Sequence, residues 1–152
     1  MSSPTTRSKL AQYLTRKLRE RGWSGPGAAP VERLVERFAQ AGYVDDRAFA
    51  DARAASLLRR GYGERRVADA LRGAGIDEAD GAAARARAEE EALEAAIRFA
   101  RRRKIGPFAP APPDRETRQK AAAAMLRAGH RMELVWKVLG SSPGDLPDPA
   151  LG

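Results

Sequence analysis

The chain has 152 residues, which suits one compact domain or a short array of small units, and its formal net charge of +8 points to an anionic partner, most commonly nucleic acid. Composition alone does not separate that reading from a general arginine bias. No cysteine is present, which excludes disulfides, thiolate metal sites and cysteine nucleophiles, and the single histidine, His130, makes no metal site unless carboxylates supply the other ligands. Hydrophobic residues make up 43% but aromatics only 6%, so the apolar content is mostly Ala, Leu and Val, and an all-α fold is expected. Met1 to Arg7 is polar, without an apolar core of signal-peptide length, and no stretch approaches the ~20 apolar residues of a membrane span. A soluble, cytoplasmic protein without membrane association is the expectation.

The first periodic segment runs from about Thr6 to Arg21, with Leu10, Leu14 and Leu18 on one stripe and Gly22 as its stop. After Trp23 and a Gly/Pro-rich loop, Ser24 to Pro30, a second helix carries Val31, Leu34, Val35 and Phe38 on one face and stops at Gly42. Asp45 and Asp46 open a third helix, which runs to about Arg60 with Phe49, Ala50, Arg53 and Leu57 on one side. Gly61-Tyr62-Gly63 breaks it. A fourth helix, Glu64 to about Ala74, is apolar at Val67, Ala70 and Leu71, and Gly75 ends it. Asp77 is the next cap. From Ala79 to Lys104 the pattern is helical, with Ala79, Ala83, Ala86, Glu90, Leu93, Ile97 and Ala100 in three- and four-residue steps. A bend near Glu89-Glu90-Glu91 and one long helix are both compatible with it. A Pro-rich link, Ile105 to Pro113, leads to helices over about Asp114 to Ala128 and Met132 to Leu139. Ser141 to Gly152, rich in Pro, Gly and Asp, is expected to be a disordered tail.

Aligning the helix-ending glycines exposes an internal repeat. Leu18 to Trp23, Leu71 to Ile76 and Met125 to His130 share a hydrophobic residue four positions before a glycine, and Gly22, Gly75 and Gly129 are 53 and then 54 residues apart (75 − 22 and 129 − 75). Each of these helices is followed by a turn and a second helix. The expected unit is a long helix and two short ones: residues 1–44 form a first unit without its leading helix, 45–88 a second, 89–140 a third, and 141–152 the tail. Small units of this kind draw much of their stability from stacking on neighbours, in an elongated, curved array.

At Gly42-Tyr43-Val44-Asp45-Asp46-Arg47-Ala48-Phe49-Ala50, and again through Arg59-Arg60-Gly61-Tyr62-Gly63-Glu64-Arg65-Arg66-Val67, Leu71-Arg72 and Gly75-Ile76, the sequence resembles the RecX regulatory family in both order and spacing. Leu14 to Leu18 and Asp114 to Gly129 look like the family's flanking segments, so the resemblance covers roughly Lys9 to Leu139. It implies tandem three-helix repeats and a protein that binds in the groove of RecA recombinase filaments on DNA. Such a protein restrains filament growth, ATP hydrolysis and strand exchange in recombination, DNA repair and the SOS response, with some affinity for DNA of its own. The chain departs from the family in lacking a helix before the first Leu-rich segment, in a longer loop from Trp23 to Pro30, and in His130, where an aromatic usually follows the glycine.

The residues expected to meet the partner are Arg59, Arg60, Tyr62, Arg65, Arg66, Arg72, Arg101, Arg102, Arg103 and Lys104. Arginine's planar fork binds phosphate or carboxylate through two bonds and keeps its charge. Arg65 and Arg66 stand early in a helix, where the helix dipole disfavours cations, which argues that a partner requires them there. Arg59, Arg60 and Arg101 to Lys104 stand near helix ends, where complementing the dipole explains them equally well. Tyr43 and Tyr62 each follow a helix-ending glycine and are read chiefly as packing between units, as are Trp23 and Trp136. Asp45 and Asp46 are read as helix caps and not as an acid–base pair. No catalytic constellation, cofactor motif or metal site is expected, and the protein is read as a non-enzymatic monomer. A direct DNA-binding protein built of helix-turn-helix-like modules is the alternative.

Overall fold

The computed structural model describes residues 5–25 and 30–141, and the expected tail beyond Ser141 and the centre of the Trp23–Pro30 loop lie outside them. The described residues form α1 (Arg7–Arg21), α2 (Val31–Gln40), α3 (Asp46–Arg59), α4 (Glu64–Gly73), α5 (Glu78–Glu90), α6 (Ala92–Arg103), a 3₁₀ turn (Gly106–Phe108), α7 (Arg115–Arg127) and α8 (Met132–Leu139). The only extended pairing among them is one isolated bridge between Thr5 and Val44. The fold is therefore an all-α array, as composition implied.

Side-chain oxygens start the helices. Thr6, Asp45, Asp77 and Asp114 accept the backbone N–H three residues on, at 2.8–3.1 Å, and so satisfy donors that the first turn leaves open. Hydrogen bonding from the Thr117 hydroxyl, and then from the Thr117 backbone N–H, holds the Asp114 carboxyl below the usual range. Asp46 behaves differently from its neighbour. It is buried and accepts the N–H of Arg7 at 2.8 Å, so it caps α1 across the fold while Asp45 caps α3. Burial raises the Asp46 pKa, and the Arg7 hydrogen bond opposes that shift.

Helix ends share one geometry. The N–H groups of Tyr43, Tyr62, Ile76, Ile105 and His130 each bond the carbonyl five residues back, at 2.9–3.1 Å, and the residue before each has positive φ. Four of those residues are the glycines marked as stops; the fifth is Lys104, with φ of 56°.

Two hydrophobic cores lie side by side. The first gathers Ala50, Ala54, Leu57 and Leu58 of α3, Val67 and Leu71 of α4, Ile76, and Ala84 and Ala88 of α5, and Ala95 of α6 reaches into it. The second gathers Ala96, Ile97, Phe99 and Ala100 of α6, Met125 of α7 and Val135, Val138 and Leu139 of α8. Tyr62 packs against both. Helices α1 and α2 pack on each other, yet α1 buries none of its residues and α2 buries only Val35.

The segment from Ala79 to Lys104, compatible with a bend or with one long helix, forms two helices, α5 and α6, divided at Glu91. The structure corrects three expectations. The expected inner face of α5 is out of phase: Gly81, Ala84 and Ala88 are buried, whereas Ala79, Ala83, Ala86 and Glu90 are exposed. Arg53 lies in the solvent, unlike Ala50 and Leu57 on the same helix. Tyr43, Trp23 and Trp136, read as packing residues, are 71%, 44% and 46% exposed. Tyr43 touches Phe38 edge-on at 5.8 Å, and that pair is itself solvent-facing.

Candidate functional site

The α3–α4 turn docks onto the α7–α8 turn through backbone. Gly63 N–H donates to the Ala128 carbonyl at 2.9 Å, and Arg65 N–H donates to the Gly129 carbonyl at 3.1 Å. This approach leaves no room for side chains. A Cβ on Gly63 would lie 2.5 Å from the Gly129 carbonyl, and one on Gly129, whose φ is +97°, would lie 2.5 Å from the Arg66 nitrogen. His130, 1% exposed, closes the seam. Its Nε2 is 2.8 Å from the Gly61 carbonyl oxygen, an acceptor only, so Nε2 carries the proton and Nδ1 is bare. Burial lowers the His130 pKa, with the Gly61 hydrogen bond acting in the opposite direction, and the ring is therefore neutral at physiological pH. Arg131 Nε adds an ion pair to Glu64 at 2.6 Å, across the same seam.

Tyr62 is the centre of the surface above this seam. The Arg60 guanidinium stands 5.1 Å from its ring centroid and that of Arg66 stands 4.6 Å away. Arg103 stands 5.1 Å over Phe99. Tyr62, Arg66, Phe99 and Arg103, with Arg127, line an open depression of about 280 Å³ that Ala124 and Ala128 also border, and Arg60 stands on Tyr62 outside that lining. Arg60, Arg66, Arg103 and Arg127 are all exposed, so a cation held over a ring keeps N–H donors for paired contacts with carboxylate or phosphate oxygens.

The expected site residues thus separate into groups. Arg60, Tyr62, Arg66 and Arg103 come together. Arg102 lies beside them, but its Nη1 donates to the Arg60 carbonyl at 3.2 Å, while Arg98 Nη1 donates to the Leu58 carbonyl at 3.0 Å. Both arginines of α6 therefore cap the C-terminal end of α3. Arg59 and Arg65 are exposed, with no ion pair among the described residues. Arg72 pairs with Asp69 at 2.8 Å at the far end of α4. Arg101 stands over Phe108 at 5.1 Å, and Lys104 lines a narrow cleft with Ile105 and Pro113. These last three stand apart from the Tyr62 cluster. Sequence reasoning missed Arg127, Phe99 and the seam role of His130. The Gly129-His130 turn was visible, but its pairing with a turn some seventy residues away carried no local signal.

No family model matches the chain. It is 34% identical to the Regulatory protein RecX of Myxococcus xanthus over 146 residues, which span 91% of this chain and 78% of that protein. It is 31% identical to the Regulatory protein RecX of Agrobacterium fabrum over 147 residues, spanning 94% and 78%. At this identity and coverage, the chain belongs to the RecX family of regulatory proteins.

Proposed function

We propose that the chain is a non-enzymatic regulator that binds RecA recombinase filaments on DNA and chiefly restrains their growth, ATP hydrolysis and strand exchange. The observation that carries this reading is similarity over 91% and 94% of the chain to two proteins named as RecX regulators. The basic cluster around Tyr62 supports it, since a nucleoprotein filament offers both carboxylates and phosphates to exposed guanidiniums. In this reading Arg59, Arg60, Tyr62, Arg65, Arg66 and Arg103 meet the filament, with Arg72, Arg101, Arg102 and Lys104 as outlying contacts. The chain acts as a cytoplasmic monomer of three stacked units, 1–44, 45–88 and 89–140. The near-equal glycine spacing and the two separate cores support that division.

The test is RecA ATPase on single-stranded DNA with and without the chain. Inhibition at fewer chains than RecA protomers is expected, and unchanged ATPase would remove the reading. A direct DNA binder would instead hold bare oligonucleotides tightly, with a slope of log K against log salt that becomes more negative by roughly 0.7 to 0.9 for each phosphate contacted.

A further inference from the structure

A second groove repeats the Tyr62 depression one seam earlier. Its floor is Ala70, Gly73 and Ala74, with Ser56 beside them, and it encloses about 500 Å³. In the Tyr62 depression the corresponding places are taken by Ala124, Arg127 and Ala128, with Phe99 beside them. The α4 and α7 floors match under the same 54-residue step that separates Gly75 from Gly129. Each groove also takes a cation from the first turn of a helix of the preceding unit, at a like place counted from the helix start and not in the glycine register. Lys9 is the third residue of α1 and Arg66 the third of α4, and each stands over an aromatic ring: Lys9 over Phe49 at 5.3 Å, Arg66 over Tyr62 at 4.6 Å. At both seams a positive-φ glycine meets the first turn of the preceding helix, Gly75 against Ser8 and Gly129 against Arg66. Arg53 adds a second cation to the first groove, and Arg103 and Arg127 do so in the second.

We propose that these two grooves are equivalent subsites, each receiving one acidic protein segment, so that the chain grips two successive copies of a repeating acidic surface. This deepens the filament reading above and rests on it. Acidic side chains fit the chemistry better than a nucleic-acid strand does. The aromatic faces on which bases would stack are already covered by the chain's own cations. The depressions are concave, with small apolar floors that admit a protruding side chain. Two weak subsites on one chain gain from effective concentration, so either is dispensable only at a large cost in affinity.

The experiment measures binding of the full chain to RecA filaments assembled on single-stranded DNA, alongside binding to the bare oligonucleotide. Lys9→Glu with Arg53→Glu disables the first groove, and Arg66→Glu with Arg127→Glu disables the second. Since Arg66 also stacks on Tyr62, Arg66→Gln with Arg127→Gln is measured in parallel, and melting curves establish that each variant is folded. The expected result is a loss of about 100-fold or more in filament affinity for either groove alone, and a loss beyond detection for both together. Failure of the parent chain to bind filaments would sink the regulatory reading itself. A parent that binds while one groove's variants leave affinity unchanged would overturn the paired subsites. Equal losses on filament and bare oligonucleotide would identify a phosphate strand as the occupant and overturn the acidic-segment assignment.

Discussion

Leu71 shows how little redundancy a core of this size has. It is fully buried in the first core, among Val67, Ile76 and the alanines of α3 and α5, and those alanines cannot shift to fill a void. Leu71→Ala should therefore cost about 2–5 kcal/mol, read as a lower denaturation midpoint with little change in helical signal at low denaturant. His130 makes a different demand, because its neutral form is the one that fits. Its folded pKa lies below the ordinary value of 6.5, so on acidification the unfolded chain takes up the proton first. The stability contributed is complete above about pH 6.5 and is lost as the pH falls towards the folded pKa. Asp46 works in the opposite sense: its raised pKa makes acidification relieve a buried charge. The two are separated by His130→Gln, which keeps an amide donor near Nε2 but does not titrate. Thermal melts between pH 7 and 5 should fall less steeply for that variant than for the parent, and identical slopes would show that His130 does not carry the dependence.

At the scale of helices, the start and stop signals of the sequence were honest because their chemistry is local. Asp45, Asp77 and Asp114 cap the helices they precede, and the glycines at 42, 61, 75 and 129 supply the left-handed residue of each ending. Helix phase was legible only where residues differ in hydrophobicity. In α5 nearly every candidate is alanine, so Ala79-Ala83-Ala86 and Gly81-Ala84-Ala88 are equally plausible inner faces, and packing against α3 selects the second. The exposed Trp23, Tyr43 and Trp136 were misread because bulk argues for burial, whereas a unit of two or three short helices has little interior to offer them. Asp46 was seen as a cap but assigned to the wrong helix, since its partner Arg7 is 39 residues away. That contact anchors α1, which buries nothing of its own. Asp46→Ala should speed amide hydrogen exchange in α1 while leaving α6 to α8 unchanged. An equal rise in all helices would mean that α1 is not a separately opening element.

The candidate site depends on the whole molecule, because its residues come from α3, α4, α6 and α7 and meet only when the two cores are docked. Arginine runs were readable from sequence; their sorting into stacked, capping and ion-paired groups was not, because it is decided by which turn faces which. The seam that decides it is mostly backbone: two N–H···O bonds, a glycine pair in van der Waals contact and the His130–Gly61 bond. In an array whose units touch only their neighbours, such a seam sets whether they unfold together. Gly129→Ala attacks it selectively, since the added Cβ collides with the Arg66 backbone at a φ that alanine disfavours, at a cost of about 1–3 kcal/mol. The seam adjoins Val67 of one core and Met125 of the other, so the loss should fall on coupling before it falls on either core. With Trp23→Phe as background, Trp136 on α8 becomes the sole tryptophan and its fluorescence follows the second core, while far-UV circular dichroism follows every helix. The two denaturation curves should coincide in that background and separate when Gly129→Ala is added, with Trp136 leaving first because α8 joins the seam at His130. Coincident curves in both proteins would place the coupling elsewhere, in the continuity of α5 into α6 or in the shared packing of Tyr62.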